Sequence, residues 1–204
     1  MKGKFIVFEG IDGAGAETQA KKLVEYLKQR DVDSLLLEYP DYQGPIGKLI
    51  KEILHGKYNF NVQAFTLLFI ADFIKDKEKV EKALNEGKIV IGNRYFTSTL
   101  VYETVLGFDR ERMIGIAEAL NMPKPNLAIY IDISPNTSVE RKKKEKSELD
   151  KHESNLDFLE KVRNTYIYSV EKNVWTKWVK VDGEKSIEEV FKDVLSVLFS
   201  YKIL

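Results

Sequence analysis

The chain has 204 residues, of which 44% are hydrophobic and 31% are charged, a composition typical of a soluble globular protein. Its 32 basic and 32 acidic residues balance, so no overall charge attracts the chain to nucleic acid or to an anionic membrane. The sequence contains no cysteine, which excludes disulfides, thiolate metal sites and cysteine nucleophiles.

Residues 1–204 are expected to form one domain, because this length is sufficient for one substantial hydrophobic core. The N-terminus leads directly into a predicted strand without a signal-peptide pattern, and no apolar run reaches membrane-spanning length. We therefore expect a cytoplasmic protein with no membrane partner.

Short segments rich in branched and aromatic residues alternate with amphipathic segments along the chain. The predicted strands are 5–8, 34–39, 88–92, 127–131 and 178–181. The predicted helices are 18–29, 46–54, 62–85, 110–120, 137–146, 156–173 and 187–200. This alternation predicts a three-layer α/β fold, with a five-stranded parallel sheet and helices on both faces. Ligands of such sheets bind beyond the carboxyl ends of the strands.

The segment after the first predicted strand has the layout of a phosphate-binding loop. Its residues are Gly10, Ile11, Asp12, Gly13, Ala14, Gly15, Ala16, Glu17 and Thr18. The three glycines permit a tight turn whose backbone N–H groups face one point, and the following helix adds its positive end. The pattern G-x-x-x-x-G-K-[ST] requires a lysine where this chain has Ala16. A plain strand-to-helix turn is the alternative interpretation of the loop.

Several further segments resemble, in the right order, motifs of the thymidylate kinase family. They are 39–41 with 46–47 (YPD and IG), 67–73 (LLFIADF), 93–102 (NRYFTSTLVY), 150–153 (DKHE) and 181–183 (VDG). The likeness covers nearly the whole chain, and the loop is its atypical part because the lysine is missing. The resemblance implies a P-loop kinase-like fold that transfers the γ-phosphoryl group of ATP to dTMP with Mg²⁺, and a homodimer.

The resemblance also implies roles for individual residues. The expected substrate-binding residues are Asp12, Tyr42, Phe69, Phe73, Arg94, Ser98, Thr99 and Tyr102. Arg94 would contact the acceptor phosphate, Phe69 would stack on the base, and Asp12 would reach the sugar 3′-hydroxyl or the metal. Glu9 is a second candidate for the metal, through a bound water. Each has a plainer alternative: a surface ion pair for Arg94, a core ring for Phe69, a turn carboxylate for Asp12.

Four positions depart from the family's motifs. Ala16 replaces the loop lysine, Asn93 replaces an aspartate, Tyr42 replaces an arginine near the acceptor phosphate, and Phe73 replaces the arginine that binds the thymine carbonyl. Losing one preorganised donor to developing charge typically costs about 10²- to 10³-fold in rate. The chain is therefore expected to be an active dTMP kinase or, alternatively, a catalytically impaired nucleotide-binding relative that acts as a sensor or partner.

Residues 141–154 are rich in lysine and almost free of apolar residues, which predicts an exposed lid. The resemblance implies that basic residues of this lid are catalytic, which makes Arg141 and Lys151 the expected catalytic cations, and Lys142 and its neighbours offer further charges that would close over the phosphates. The alternative is a solvated charge run in a flexible loop.

Overall fold

The computed structural model describes residues 2–145 and 155–204. Within these residues a five-stranded parallel sheet has the strand order β2-β3-β1-β4-β5. The strands are β1 Lys4–Glu9, β2 Ser34–Glu38, β3 Ile89–Asn93, β4 Leu127–Asp132 and β5 Trp178–Asp182. The helices are α1 Ala16–Lys28, α2 Pro45–Leu54, α3 Val62–Ile74, α4 Lys77–Asn85, α5 Phe96–Val105, α6 Arg110–Ala119, α7 Pro135–Glu145, α8 Leu156–Lys172 and α9 Ile187–Ser200. The predicted α/β fold with a five-stranded parallel sheet is confirmed.

Burial of the central strands explains why their sequences lack an alternating pattern. Every residue of β4 is buried, and Phe5 to Phe8 of β1 have no exposed surface. Strands covered by helices on both faces are apolar on both faces. Helices α1 and α9 pack together and against the sheet, and α8 packs against both α5 and the sheet. The buried side chains belong to one hydrophobic cluster, which supports the single-domain prediction.

The strand order fixes the position of the functional site. From β1 the chain moves to β2 and back to β3 on one side, and then crosses to β4 and β5 on the other. The loops that leave β1 and β4 therefore diverge, and they open a crevice at the carboxyl edge of the sheet. The glycine-rich loop follows β1 at this edge, and Arg94 follows β3 beside it.

One predicted helix is wrong in its extent, since residues 62–85 form α3 and α4 with a break between them. Lys75 donates from Nζ to the Asp72 carbonyl at 2.9 Å and to Asp76 at 2.8 Å. Tyr39, which follows β2, donates its hydroxyl to Asp76 at 3.1 Å. These contacts come from distant parts of the chain as well as local ones, so the helical period of the sequence does not reveal them.

Helix α5 is not among the predicted helices. Its sequence, FTSTLVYETV, is rich in β-branched and hydroxyl residues, which have low intrinsic helix propensity. Most of its residues are buried, so packing between α3 and α8 stabilises the helix against that preference. Among the described residues, no helix has the length and apolar character needed to cross a membrane.

Candidate active site

A cavity of about 730 Å³ opens at the carboxyl edge of the sheet. Its walls combine the phosphate-loop carboxylate Asp12, the arginine after β3, aromatic rings of α3 and polar side chains of α5. Ligand sites of this size hold a nucleotide-sized molecule. The predicted residues that line it are Asp12, Glu17, Tyr42, Phe69, Phe73, Arg94, Ser98, Thr99 and Tyr102.

The glycine-rich loop of residues 10–15 makes a tight turn from β1 into α1. Gly13 and Gly15 have φ angles of 77° and 91°, which side chains with a Cβ rarely adopt. The Ala14 N–H donates to the Ile11 carbonyl at 3.0 Å, which closes the turn. Gly15 is the N-cap of α1 and makes no side-chain hydrogen bond to the N–H groups of the first helical turn.

The missing lysine leaves a small residue at the start of α1. Ala16 is the first helical residue and is largely buried. Glu17 follows it on the exposed side, where its carboxylate pairs with Lys21 at 2.5 Å. This pairing along the helix offsets part of the negative charge that Glu17 brings to the loop. Thr18 is exposed one position further on, and its hydroxyl is the nearest to the loop on this helix.

Arg94 lines the cavity, and hydrogen bonds hold both its backbone and its guanidinium group. Its backbone φ is 61°, in the left-handed region that non-glycine residues rarely adopt, and its N–H donates to the Phe8 carbonyl at 2.9 Å. Its guanidinium donates from Nη2 to Asp12 Oδ1 at 2.5 Å. Burial lowers the pKa of Arg94, but the Tyr102 hydroxyl and the Asp12 carboxylate raise it well above its usual value, so the guanidinium stays charged.

Glu9 lies beneath this arginine as a buried, fully engaged carboxylate. One oxygen accepts hydrogen bonds from the Tyr95 N–H at 3.2 Å and the Thr97 hydroxyl at 2.5 Å. The other accepts from the hydroxyls of Ser98 and Tyr166, the latter at 3.0 Å. Burial raises the pKa of Glu9, and these donors oppose the rise. This geometry argues against the predicted metal role of Glu9 and favours a positioning role beneath α5.

The same network changes the interpretation of Ser98. Its hydroxyl hydrogen goes to Glu9, and its oxygen lies 3.2 Å from the Tyr166 hydroxyl and 3.5 Å from Arg94 Nη1. Ser98 therefore fixes the position of Arg94 while it lines the cavity. Tyr166, on α8, is not among the predicted site residues.

Aromatic rings of α3 form one wall of the cavity. Phe69 is half-buried, and its ring centroid lies 4.8 Å from that of Phe65, one turn away. Phe73 is buried, with its ring edge-on to Tyr39 at 4.9 Å and 5.1 Å from Tyr95. Phe69 is thus accessible for stacking against a flat ligand, whereas Phe73 offers only an apolar surface.

Helix α5 forms the facing wall and carries two polar groups that are poorly satisfied. The Tyr102 hydroxyl is buried beside the Arg94 guanidinium, but it makes no hydrogen bond of good geometry with any of the described residues. Glu103 is only 2% exposed, and the hydrogen bond it receives, from the Thr66 hydroxyl, is 3.3 Å long. Burial raises the pKa of Glu103 to about 7, while the Thr66 bond lowers it. Glu103 was missed in the sequence because a glutamate in an unpredicted helix gives no sign of burial.

Helix α7 packs on the glycine-rich loop. The first residues of the predicted lid segment, 141–145, belong to this helix, in agreement with the predicted helix over 137–146. Arg141 donates to the Gly13 carbonyl at 3.2 Å and to the Gly183 carbonyl at 2.9 Å, and Ser138 donates to the Asp12 carbonyl at 2.6 Å. Arg141 thus supports the loop from outside the cavity. Lys151 and the rest of the predicted lid lie outside the described residues.

Comparison with known proteins identifies the family. The profile of the family described as thymidylate kinase matches residues 8–194. The chain belongs to the thymidylate kinase family. The thymidylate kinase of Thermoanaerobacter sp. (strain X514) is 35% identical over 98% of this chain and 100% of that protein. The probable thymidylate kinase of Pyrococcus horikoshii is 34% identical, with 97% of each chain covered.

A solved structure agrees with this assignment. The structure of thymidylate kinase from Candida albicans matches with a TM-score of 0.78 at 26% identity, and the match covers 99% of this chain and 93% of that one. The three-layer arrangement of this thymidylate kinase family member is therefore that of a P-loop kinase fold.

The network around Glu9 gives a first prediction for this thymidylate kinase family member. Tyr166→Phe removes one donor to a buried carboxylate and should lower the free energy of unfolding by about 1–2 kcal/mol in urea titrations. Tyr168→Phe, on an exposed part of the same helix, is the matched control and should change stability by less than about 0.5 kcal/mol. Equal losses for the two variants would contradict the assignment of a supporting bond to Tyr166.

The buried Glu103 gives a second prediction. Its folded-state pKa of about 7 exceeds the ordinary value of 4.5, so the folded state holds its proton more tightly than the unfolded state. Wild type should therefore lose stability relative to Glu103→Gln as pH rises through this window, by up to about 3 kcal/mol between about pH 5 and pH 8. If the free energy of unfolding changes with pH equally in the two proteins, the pKa of Glu103 is not raised in the folded state.

Proposed function

We propose that this protein transfers the γ-phosphoryl group of ATP to dTMP, giving dTDP and ADP. The observation that carries the proposal is the position of Arg94, charged and part-buried, between an anion-cradling loop and an aromatic pocket. Phosphoryl transfer needs positioning and electrostatic stabilisation, and it needs no nucleophilic side chain. The named relatives are thymidylate kinases, so the alternative of an inactive sensor receives no support from them.

The phosphate loop is the proposed site of the donor. The N–H groups of the first turn of α1, which no N-cap side chain caps, together with the positive end of the helix, bind the ATP phosphates without a lysine from the loop itself. Arg141 and Ser138 hold the loop by hydrogen bonds to the carbonyls of Gly13 and Asp12. We therefore assign Arg141 to positioning, and its predicted catalytic contact stays a prediction, as does that of Lys151.

The cavity between α3 and α5 is the proposed site of the acceptor. Phe69 provides a face for stacking on the base, and the Tyr102 hydroxyl, which has no well-formed hydrogen bond within the described part of the chain, offers one to the nucleoside. The Arg94 guanidinium presents a charged fork to the acceptor phosphate and to the charge that develops on the transferred group. Its bond to Asp12 fixes that fork before substrate arrives.

The residues beside the loop fit Mg²⁺, which we propose to bind together with ATP. Asp12 lines the cavity with one oxygen on Arg94 and a second oxygen that has no hydrogen bond among the described residues, and the Thr18 hydroxyl is exposed nearby. No cluster of three acidic or histidine side chains lies in the described part of the chain, which is compatible with an ion held mainly by phosphates and water. When bound, Mg²⁺ neutralises charge on the phosphates.

Lys142 is the proposed substitute for the lysine missing at position 16. Helix α7 brings it against the loop, with its Cγ 3.5 Å from the point where a Cβ on Gly13 would lie. It lines the same cavity as Arg94 and Asp12. Among the lysines of the predicted lid that the structure describes, Lys143 and Lys144 are exposed outside this cavity.

The range of acceptors, the assembly and the cellular location are further parts of the proposal. The Candida albicans structure is described as revealing the origin of broad substrate specificity, and Phe73 provides no polar contact that would select one pyrimidine. We propose ATP and a pyrimidine nucleoside monophosphate as ligands, with dTMP preferred. The homodimer, the cytoplasmic location and the absence of nucleic-acid binding stay predictions.

The test of the reaction is a coupled assay of ADP formation with Mg²⁺, ATP and dTMP. Arg94→Ala should lower kcat/KM by about 10²- to 10³-fold, because it removes the preorganised charge from the transferred group. Arg112→Ala, an exposed arginine of α6, is the control and should leave the rate unchanged. Absence of turnover by wild type with every pyrimidine monophosphate, under Mg²⁺ or Mn²⁺, would refute the proposed activity.

A double-mutant cycle tests the role of Lys142. Lys142→Ala should lower kcat by at least about tenfold, whereas the exposed Lys143→Ala should not. Ala16→Lys should give little gain in wild type but should restore much of the rate lost in Lys142→Ala, because both lysines supply charge to the same phosphates. Independent, additive effects at positions 16 and 142 would show that Lys142 does not substitute for the missing cation.

A further inference from the structure

Two carboxylates at the ends of neighbouring strands bind side chains of helix α8. Glu9 is the last residue of β1, and Asp132 is the last residue of β4. The two strands are parallel and adjacent, and Glu9 pairs in register with Tyr130, two residues before Asp132. Glu9 belongs to the network beneath Arg94, whereas the proposed reaction gives Asp132 no role. Asp132 is only 8% exposed, and a carboxylate so deeply buried calls for a physical reason.

An arginine of α8 holds Asp132 in its ionised form. Arg163 donates from Nε to Asp132 Oδ1 at 2.8 Å and from Nη2 to Oδ2 at 3.2 Å. Lys180 of β5 adds a second cation, 3.4 Å from Oδ2. Burial raises the pKa of the Asp132 carboxyl, but the bonds from Arg163 and from the Tyr130 hydroxyl bring it below its usual value. A two-point contact of this kind fixes the angle of the arginine as well as its distance.

The same helix binds the other carboxylate one turn later. Tyr166 follows Arg163 by three residues, so the two residues are neighbours on one face of α8. The Tyr166 hydroxyl donates to Glu9 Oε2 at 3.0 Å. Helix α8 is therefore anchored at two points one turn apart, by Arg163 to the end of β4 and by Tyr166 to the end of β1.

Tyr130 connects the two anchoring points. Its hydroxyl donates to Asp132 Oδ1 at 3.0 Å. Its ring stacks on that of Tyr166, with the centroids 4.6 Å apart and an angle of 11° between the ring planes. Both tyrosines are fully buried, and in a close-packed interior neither ring moves without displacing the other. A displacement at Arg163 therefore reaches Tyr166 along α8 and also across the stacked rings.

The contacts of Tyr166 lead on to the arginine of the acceptor cavity. The Tyr166 hydroxyl lies 3.2 Å from the Ser98 hydroxyl oxygen, and both hydroxyls donate to the same oxygen of Glu9. The Ser98 oxygen in turn lies 3.5 Å from Arg94 Nη1. A shift of Tyr166 therefore changes the position of Ser98 and, with it, the support of the Arg94 guanidinium.

We propose that Asp132 and Arg163 form a positioning pair, which holds α8 where Tyr166 supports the Glu9–Ser98–Arg94 network. This inference rests on the proposed function, because its effect is on the placement of Arg94 for phosphoryl transfer. Neither residue is among the described residues that line the acceptor cavity, so the pair affects the reaction there through Tyr166 and not by contact with the acceptor. A misplacement of about 1 Å at a reacting site costs up to about 100-fold in rate.

The experiment measures steady-state kinetics of wild type, Arg163→Met, Arg163→Lys and Lys161→Met, at a temperature at which circular dichroism shows each protein folded. Arg163→Met should lower kcat by roughly tenfold and leave the KM for ATP within about twofold, because the phosphate loop keeps its own contacts. Arg163→Lys should recover part of the lost kcat, since lysine keeps the charge but not the two-point contact. Lys161→Met removes an exposed cation from the same helix and is the matched control, with kcat unchanged.

A double-mutant cycle separates positioning from a purely structural role. Tyr166→Phe should also lower kcat, because it removes the bond to Glu9. If Arg163 acts through Tyr166, Arg163→Met should lower kcat much less in the Tyr166→Phe background than in wild type. Losses of kcat that multiply in full overturn the inference. If Arg163→Met does not fold, the cycle with Arg163→Lys decides in the same way.

Two failures are distinguishable. If wild type phosphorylates dTMP and a folded Arg163→Met protein retains its kcat, the positioning role is refuted while the proposed function stands. If wild type phosphorylates no pyrimidine monophosphate, the proposed function fails and the inference fails with it.

Discussion

The site depends on the ion pair between Arg94 and Asp12, formed across the carboxyl edge of the sheet at 2.5 Å. The left-handed backbone of Arg94 turns the chain abruptly from β3 into α5, and the Phe8 carbonyl of the neighbouring strand secures that turn. Beneath it, Glu9 accepts hydrogen bonds from three donors at the start of α5 and from the Tyr166 hydroxyl of α8. Loop, arginine and helix are therefore positioned together, before any ligand binds.

This coupling explains how a phosphate loop without its lysine is compatible with membership of a kinase family. The loop retains its glycine geometry and the N–H groups of α1, and α7 packs on it through Ser138 and Arg141. Preorganised charge is the main requirement of phosphoryl transfer, and a cation from another element meets it as well as one from the loop. Because Ala16 carries no charge, the proposed reaction requires Lys142 and Arg94 to supply the positive charge at the phosphates.

The sequence was sufficient for the architecture and for most of the cavity. Apolar runs mark β1 and β4 because both faces of these strands are buried, and the glycines mark the loop because few other residues adopt its angles. The sequence was insufficient where contacts between distant residues determine the helices. Helix α5 forms although its sequence has low helix propensity, and the predicted helix over 62–85 breaks where Tyr39 binds Asp76. Nothing in an arginine signals a left-handed backbone, and nothing in a glutamate signals burial such as that of Glu103.

The most direct test of the central claim is a crystal structure of the protein with ADP and dTMP. Three parts of the site are expected to hold different parts of the ligands. The ADP β-phosphate should lie on the N–H groups at the start of α1, the dTMP phosphate on Arg94, and the base on Phe69. Nucleotides bound elsewhere, or a cleft that stays empty at saturating concentrations of both, would contradict the claim that Arg94 and the loop form one phosphoryl-transfer site.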